Sequence, residues 1–223
     1  MARRSPTPEG YPLPPIPQII HQIWLPNWLQ VPAAIRHTRA EWCRLNPTWS
    51  YQFWGIREIS YLVDRKYPEL WKIWSKLANE RVIKMADFAR LVVLHRMGGL
   101  YVDMDLLPVM PIIQKRGVKG KIVVSTEWTV YDNEDRFCNG FMGSVAGEKI
   151  WLDLLHGCEE RLHGPVLDFL GPPVITEALK PLRPHILPWR HVLSVEAEKL
   201  AITRNLENRS WGEHLPGKKW YCC

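Results

Sequence analysis

The stretch "MADFARLVVLHRMGGLYVDMDLLPVMP", residues 85–111, limits what this chain can fold into more than any other. Its first part is apolar except for Asp87 and Arg90, which stand at i and i+3 and so share one face of a helix. Gly98-Gly99 ends that helix, because a C-cap takes a positive φ that glycine adopts without strain. "LYVDMD" (100–105) follows as a strand. In a strand Leu100, Val102 and Met104 face one side, and Tyr101, Asp103 and Asp105 face the other. A helix that turns straight into a buried strand ending in acids is the local form of an α/β domain, in which ligands gather at the carboxyl ends of strands.

The rest of the chain reads consistently with that. "QIIHQIWL" (18–25) is a first buried strand, and "AAIRHTRAEWCRLN" (33–46) has helical spacing and stops at Asn46-Pro47. "WSYQFWG" (49–55) is a second, aromatic strand. Residues 56–97 read as largely helical, with a break near Tyr67-Pro68. "GKIVVSTE" (120–127) is a fourth strand, "NGFMGSVAG" (139–147) a short strand or loop, and 148–162 a helix. "GPPVITEALKPL" (171–182) begins another helix with its prolines in the first turn, and "HILPW" is extended. Strands alternating with helices predict a mostly parallel sheet. Residues 1–15 are Pro-rich and read as an arm, with one domain over 16–223.

Two carboxylates side by side at a strand end repel each other and raise one another's pKa; a divalent cation relieves this. Mg²⁺ or Mn²⁺ takes oxygen ligands, commonly one or two carboxylates with phosphate oxygens and water. Asp103 and Asp105 therefore fit a cation that bridges protein to a diphosphate; the alternative is a solvated acidic turn. Asp87 suits ribose hydroxyls or a base edge and Arg90 suits phosphate, or the two form an intrahelical ion pair.

The 223 residues are enough for one domain with a sizeable core, and 46% apolar with 23% charged is ordinary for a globular chain. No apolar run approaches the roughly 20 residues of a membrane helix, and Pro-rich sequence follows Arg3 and Arg4 where a signal peptide would be apolar. The expected setting is therefore cytoplasmic, with a domain cut from a longer protein as the alternative. The net charge of +6 favours anionic ligands such as phosphates. Nothing points to nucleic acid, and oligomeric state is not legible. Five cysteines without a CxxC pair predict reduced thiols. Twelve tryptophans supply core, and also platforms for bases and sugar rings.

Taken together, residues 86–111 resemble the signature of the DXD-containing sugar transferases of glycosyltransferase family 32, roughly S-D-x-x-R-x-x-x-L-x-x-x-G-G-x-Y-x-D-x-D. Asp87, Arg90, Leu94, Gly98, Gly99, Tyr101, Asp103 and Asp105 match in spacing, with Ala86 in place of the serine. "IPQIIHQIWLPN", "WCRLNPTWSYQFW", "CNGFMGSVAG" and "FLGPPVITEAL" resemble further family segments in the same order, the last with Leu170 for threonine. Near the end "NLENRSWGEH" keeps Ser210-Trp211 but has Asn205 and Leu206 where relatives carry histidine.

The resemblance implies the GT-A fold, a Rossmann-like nucleotide-diphospho-sugar transferase domain. It also implies transfer of a hexose from a UDP- or GDP-sugar to a glycan or other hydroxyl acceptor, with Mn²⁺ or Mg²⁺ and generally with retention. By the same resemblance Trp24 stacks on the donor base, Asp87 and Arg90 meet sugar or ribose hydroxyls and the diphosphate, and Tyr101 lines the donor site. Asp103 holds hydroxyls and Asp105 the metal, with Glu207 as a further candidate ligand. Asn139 faces the transferred sugar, and Ser210 and Trp211 close over the phosphates as a lid. The competing readings are a non-catalytic nucleotide-sugar-binding module and a D-x-D phosphatase; Leu107 stands where the phosphatase pattern wants Thr or Val.

Overall fold

A computed structural model describes residues 16–25, 31–108, 111–112, 121–127, 136–187 and 203–205. Six strands form one sheet: β1 (Ile19–Ile23), β2 (Ser50–Trp54), β3 (Gly99–Val102), β5 (Ile122–Glu127), β6 (Arg136–Ser144) and β7 (His185–Leu187), in the order β2-β1-β3-β6-β5-β7. β1 pairs in parallel with β2 and β3, and β5 with β7, while β6 runs antiparallel to both neighbours. The expected mostly parallel sheet is thus present, with β6 as the single reversed strand among the six. A separate pair joins β4 (Leu106–Pro108) to β8 (Thr203–Asn205), with Leu106 opposite Asn205.

The helices are α1 (Ala33–Leu45), α2 (Ile56–Lys66), α3 (Trp71–Leu77), α4 (Val82–Met97), α5 (Lys149–His156), α6 (Leu167–Leu170) and α7 (Pro172–Leu179). Side-chain alternation along the strands divides the core in two. Tyr101, Val124, Phe137 and Met142 face the layer containing α2 to α7. Leu100, Val102, Val123, Cys138 and Phe141 face the other side, where Trp42 of α1 is buried. α4 is apolar nearly all round and is buried nearly all round, as such a helix must be. No helix among the described residues is long and apolar enough to cross a membrane.

The joint between α4 and β3 fixes the register. Gly98 and Gly99 take φ of 62° and 89°, and a side chain on either would meet backbone at 2.6 Å. His21 of β1 locks this joint from beneath. Its Nδ1 accepts from Trp54 Nε1, a donor only, at 3.1 Å, so the proton sits on Nε2, which donates to the Gly98 carbonyl at 2.8 Å. Burial lowers the His21 pKa to about 4, against the pull of that carbonyl, and keeps the ring neutral.

Three expectations are revised. The strand expected over 100–105 ends at Val102, because Leu106–Pro108 leaves the sheet to pair with β8 and Leu106 O accepts from Trp42 Nε1 at 3.0 Å. Of the segment expected as a short strand or loop at 139–147, residues 139–144 are strand, continuous with 136–138 in the nine-residue β6, and 145–147 lie beyond it. The helix expected over 148–162 stops at His156, where Gly157 closes on Asp153 O, and a 3-10 turn follows at Glu159–Arg161. Cys43, Cys138 and Cys158 are free thiols; Cys222, Cys223 and the Pro-rich arm lie outside the described residues.

Candidate active site

At the carboxyl edge of β3, four elements bring polar side chains into an otherwise apolar setting. α4 supplies Asp87 and Arg90, β3 supplies Tyr101, the turn after it supplies Asp103 and Asp105, and β6 supplies Asn139 and Gly140. Arg90 is the hub. Its guanidinium lies 3.0 Å from Asp87 Oδ1 and 3.7 Å from Asp103 Oδ1, donates to Asn139 O at 2.6 Å, and stands over the Tyr101 ring at 4.8 Å. Asn139 Nδ2 donates to Asp87 Oδ1 at 3.0 Å and to Leu170 O at 3.2 Å, which fixes the orientation of its amide. Asp87 and Arg90 thus form the intrahelical pair foreseen as an alternative, but at 3% exposure each, so it is a buried pair tied into a wider network.

Asp103 and Asp105 do not share a strand face. They belong to a turn closed by Leu106 N–H on Asp103 O at 3.2 Å, and their environments differ. Asp105 is buried at 4% exposure, whereas the Asp103 side chain is 28% exposed. Met104 between them packs with Trp24 and Val31. Asp103 is held at every atom but one. Its N–H donates to Gly140 O at 2.9 Å, its carbonyl accepts from Gln22 Nε2 at 3.1 Å, and Oδ1 accepts from Tyr101 Oη at 2.5 Å. Gln22 is steadied by Tyr51 Oη at 2.6 Å. Oδ2 accepts no hydrogen bond among the described residues and remains available to a ligand.

Electrostatics follow from burial. Desolvation pushes the Asp87 carboxyl up to about 7, against the nearby Arg90 charge and the Asn139 N–H, with Asp103 adding to the rise. Burial likewise holds the Tyr101 phenol well above its usual value; Arg90 opposes the rise and Asp103 adds to it, so Tyr101 stays a donor to Asp103.

Of the residues singled out from sequence, Asp87, Arg90, Tyr101, Asp103, Asp105 and Asn139 are brought to this edge. Trp24 is nearby but 7% exposed, packed on Met104 at the end of β1. Glu207, Ser210 and Trp211 lie outside the described residues. Sequence reading passed over Gly140, Gln22 and Tyr51. A side chain at 140 would run into the Asp103 carboxylate, whose Cγ would lie 3.1 Å from the new Cβ. Asn139-Gly140 at the start of a matching segment was the available signal; Gln22 and Tyr51 gave none.

No group of three or more His, Cys, Asp or Glu side chains stands together among the described residues. The donor set nevertheless suits a hard cation that completes its shell elsewhere, since Asp103 Oδ2 is open at a negatively charged turn and phosphate oxygens and water are the usual further ligands of Mg²⁺ or Mn²⁺.

Residues 32–124, which contain the network from α4 through the Asp103–Asp105 turn, match the family model described as a glycosyltransferase sugar-binding region containing a DXD motif. This region is similar to the DXD-motif glycosyltransferases. An uncharacterized glycosyltransferase of Acanthamoeba polyphaga mimivirus is 32% identical over 93 residues, covering 41% of this chain and 36% of that protein. Inositol phosphoceramide mannosyltransferase 3 of Schizosaccharomyces pombe is 29% identical over 220 residues, covering 92% of this chain and 58% of that protein. The chain therefore spans less than two thirds of the length of either relative. Among solved structures, the PaToxG glycosyltransferase superposes with a TM-score of 0.61 at 20% identity, over 76% of this chain and 70% of that one. The UDP-bound glycosyltransferase domain of the YGT toxin superposes with a TM-score of 0.55 at 10% identity, over 78% and 79%. The shared architecture is the GT-A fold.

Proposed function

We propose that this chain is a metal-dependent glycosyltransferase that moves a hexose from a UDP- or GDP-sugar to a hydroxyl acceptor, with retention at the anomeric carbon. The observation that carries the reading is Asp103: one carboxylate oxygen is committed to Tyr101 and Arg90, and the other is open at the sheet edge. A carboxylate fixed at one oxygen with the other unbonded to protein is preorganised to take a ligand. The relative named as a mannosyltransferase makes mannose the first hexose to test.

In this reading Asp103 and Asp105 hold Mn²⁺ or Mg²⁺ together with the donor diphosphate. When bound, the cation supplies positive charge at the oxygens that gain charge as the glycosidic bond breaks. The chain's own residues do the rest. Arg90 lies between two carboxylates and beside Asn139, so its charge is fixed in place before the leaving group develops its own. Asn139, oriented by Asp87 and Leu170, faces the transferred sugar. Asp87 stabilises Arg90 and orients Asn139; contact with sugar or ribose hydroxyls is the part of its role that the resemblance alone supports. Trp24, braced on Met104, presents the base platform. β8 sets Asn205 opposite Leu106, next to Asp105; Glu207 as a further ligand and Ser210 and Trp211 as a cover over the phosphates rest on the resemblance and lie outside the described residues.

The test is a thermal-shift panel of GDP-mannose, UDP-glucose and related donors, with and without Mn²⁺, followed by assay of nucleoside diphosphate release. A bound donor at a hundredfold excess over its Kd stabilises by about 2.7 kcal/mol. Donor-plus-metal stabilisation and slow donor hydrolysis, both lost in EDTA and in Asp105→Asn, are expected. A donor effect without hydrolysis or transfer would favour the binding module, phosphate release from a generic ester the phosphatase, and no response to any donor would remove the reading.

A further inference from the structure

Gln22 is the polar exception on its side of β1. By alternation Ile20, Gln22 and Trp24 share one face, with Ile20 and Trp24 packed among apolar side chains and Gln22 fully buried between them. A buried amide is costly unless both its ends find partners. Those of Gln22 do: Nε2 donates to Asp103 O at 3.1 Å, and Oε1 accepts from Tyr51 Oη at 2.6 Å. A backbone carbonyl can only accept, so the amide has one admissible orientation and Tyr51 is the donor to it. Burial pushes the Tyr51 phenol up, against the pull of Arg39, so the phenol keeps that proton. The Arg39 guanidinium of α1 lies over the ring, 5.2 Å from its centre.

This contact begins where strand pairing ends. β1 and β3 are in register at Ile20–Leu100 and His21–Tyr101. Two residues on, the chain turns out of the sheet at Asp103, and the Gln22 side chain takes over the link that the backbone ladder gives up. Asp103 is thereby held from both flanks. β6 holds its N–H through Gly140 O at 2.9 Å, and β1 holds its carbonyl through Gln22. With both backbone groups fixed, the Cα–Cβ bond has a set direction, and Tyr101 on Oδ1 then fixes the carboxylate. The other partner of the Asp103 carbonyl, Leu106 N–H at 3.2 Å, belongs to the turn itself and moves with it. Among the described residues, Gln22 is what ties that carbonyl to the sheet.

We propose that Gln22 is a positioning residue for cation and diphosphate binding, that it acts by setting the backbone of Asp103, and that Tyr51 acts through it; the proposal rests on the transferase reading. Removing the amide leaves the Asp103 carboxylate its charge and loosens its aim. Groups that orient metal-binding side chains typically change metal affinity about 10–100-fold.

Gln22→Met keeps the length of the side chain and loses both hydrogen bonds; Tyr51→Phe keeps the ring and loses one. Two readouts on the full chain separate aim from stability. Without metal, amide exchange at 103–106 should quicken about tenfold in Gln22→Met relative to 88–94, the core of α4, which reports global opening. With GDP or UDP present, the Kd for Mn²⁺, read from the paramagnetic resonance signal of the free ion, should rise about tenfold or more. Tyr51→Phe should move both in the same direction by a smaller factor and add nothing in the Gln22→Met background. Either readout changed by less than about threefold in Gln22→Met, or losses that multiply in the double variant, overturn the proposal. Should Gln22→Met not fold, Tyr51→Phe decides: a Kd for Mn²⁺ raised about threefold upholds the proposal, and a wild-type Kd removes it. A wild type that binds no Mn²⁺ with either nucleotide would instead count against the transferase reading itself, and the metal-free exchange then decides whether Gln22 sets the turn.

Discussion

Gly140 and the Asp103 carboxylate contend for one space: a Cβ at position 140 would press on Asp103 Oδ2, while the Asp103 N–H is held by the Gly140 carbonyl at 2.9 Å. The glycine has an ordinary strand φ, so backbone conformation is not what demands it. What demands it is the acid across the way.

That gives a first prediction in the form of a double-mutant cycle. Gly140→Ala should destabilise the protein by about 1–3 kcal/mol, the usual range for overpacking. In an Asp103→Ala background the same substitution should be close to neutral, because the obstacle is gone. Urea unfolding of the four proteins measures the coupling. Equal costs in both backgrounds would mean that the crowding comes from elsewhere in β6.

Arg90 carries the second prediction. It is 3% exposed and spans Asp87, Asp103 and Asn139. Arg90→Met leaves Asp87 buried without its cation, and removing one partner of a buried pair typically costs about 3–5 kcal/mol. Arg90→Met with Asp87→Asn should recover a large part of that loss. Melting temperatures of the single and double variants decide it; a double variant no better than Arg90→Met would show that the pair does not act as a unit.

The two predictions concern residues of unequal legibility. Asp87, Arg90, Tyr101, Asp103 and Asp105 were legible because charges and an aromatic at fixed spacing interrupt an apolar run. The fold around them was legible for the same reason: α4 and β3 are apolar enough to be buried, and Gly98-Gly99 marks their joint. β6 was legible only in part, as a short strand or loop from 139, because Asn139, Gly140 and Gly143 dilute a strand whose order comes from two neighbouring strands rather than from propensity. The turn at Asp103–Asp105 was read as strand because nothing local announces that Leu106 will pair with a segment a hundred residues on. Gln22 matters through a single long-range hydrogen bond to Asp103 O, and no periodicity reports such a contact.

Trp24 separates packing from recognition. It is 7% exposed and shares a cluster with Val31 and Met104, the residue between the two acids. Trp24→Ala should therefore lower the melting temperature and weaken nucleoside diphosphate binding about tenfold or more, since a lost stacking platform is worth roughly 1–3 kcal/mol. Trp24→Leu isolates the second effect, keeping apolar volume against Met104 without an aromatic face. Calorimetric titration with Mn²⁺ present should show Trp24→Phe close to wild type and Trp24→Leu clearly weaker. If Trp24→Leu binds as well as the wild type, Trp24 is a core residue and the base lies elsewhere.

The last prediction concerns pH. Burial raises the Asp87 pKa from 3.8 to about 7, so between those values the folded protein holds a proton that the unfolded chain has released. Stability falls with rising pH wherever the folded state binds more protons. The contribution of this group is therefore fully present below about pH 4, declines as pH rises through about 7, and is flat above. His21 works in the opposite sense: its pKa, lowered from 6.5 to about 4, removes stability as pH falls through that window. The wild-type curve mixes the two, but the difference between wild type and Asp87→Asn does not, because both proteins contain His21. Asp87→Asn keeps the shape of the side chain and an oxygen for Asn139 Nδ2, and has no proton to lose. The melting temperature of the wild type should fall relative to Asp87→Asn from pH 4.5 to 7.5 and run parallel to it beyond pH 8. A difference that is flat across this range would mean that Arg90 at 3.0 Å keeps Asp87 ionised throughout, outweighing its burial.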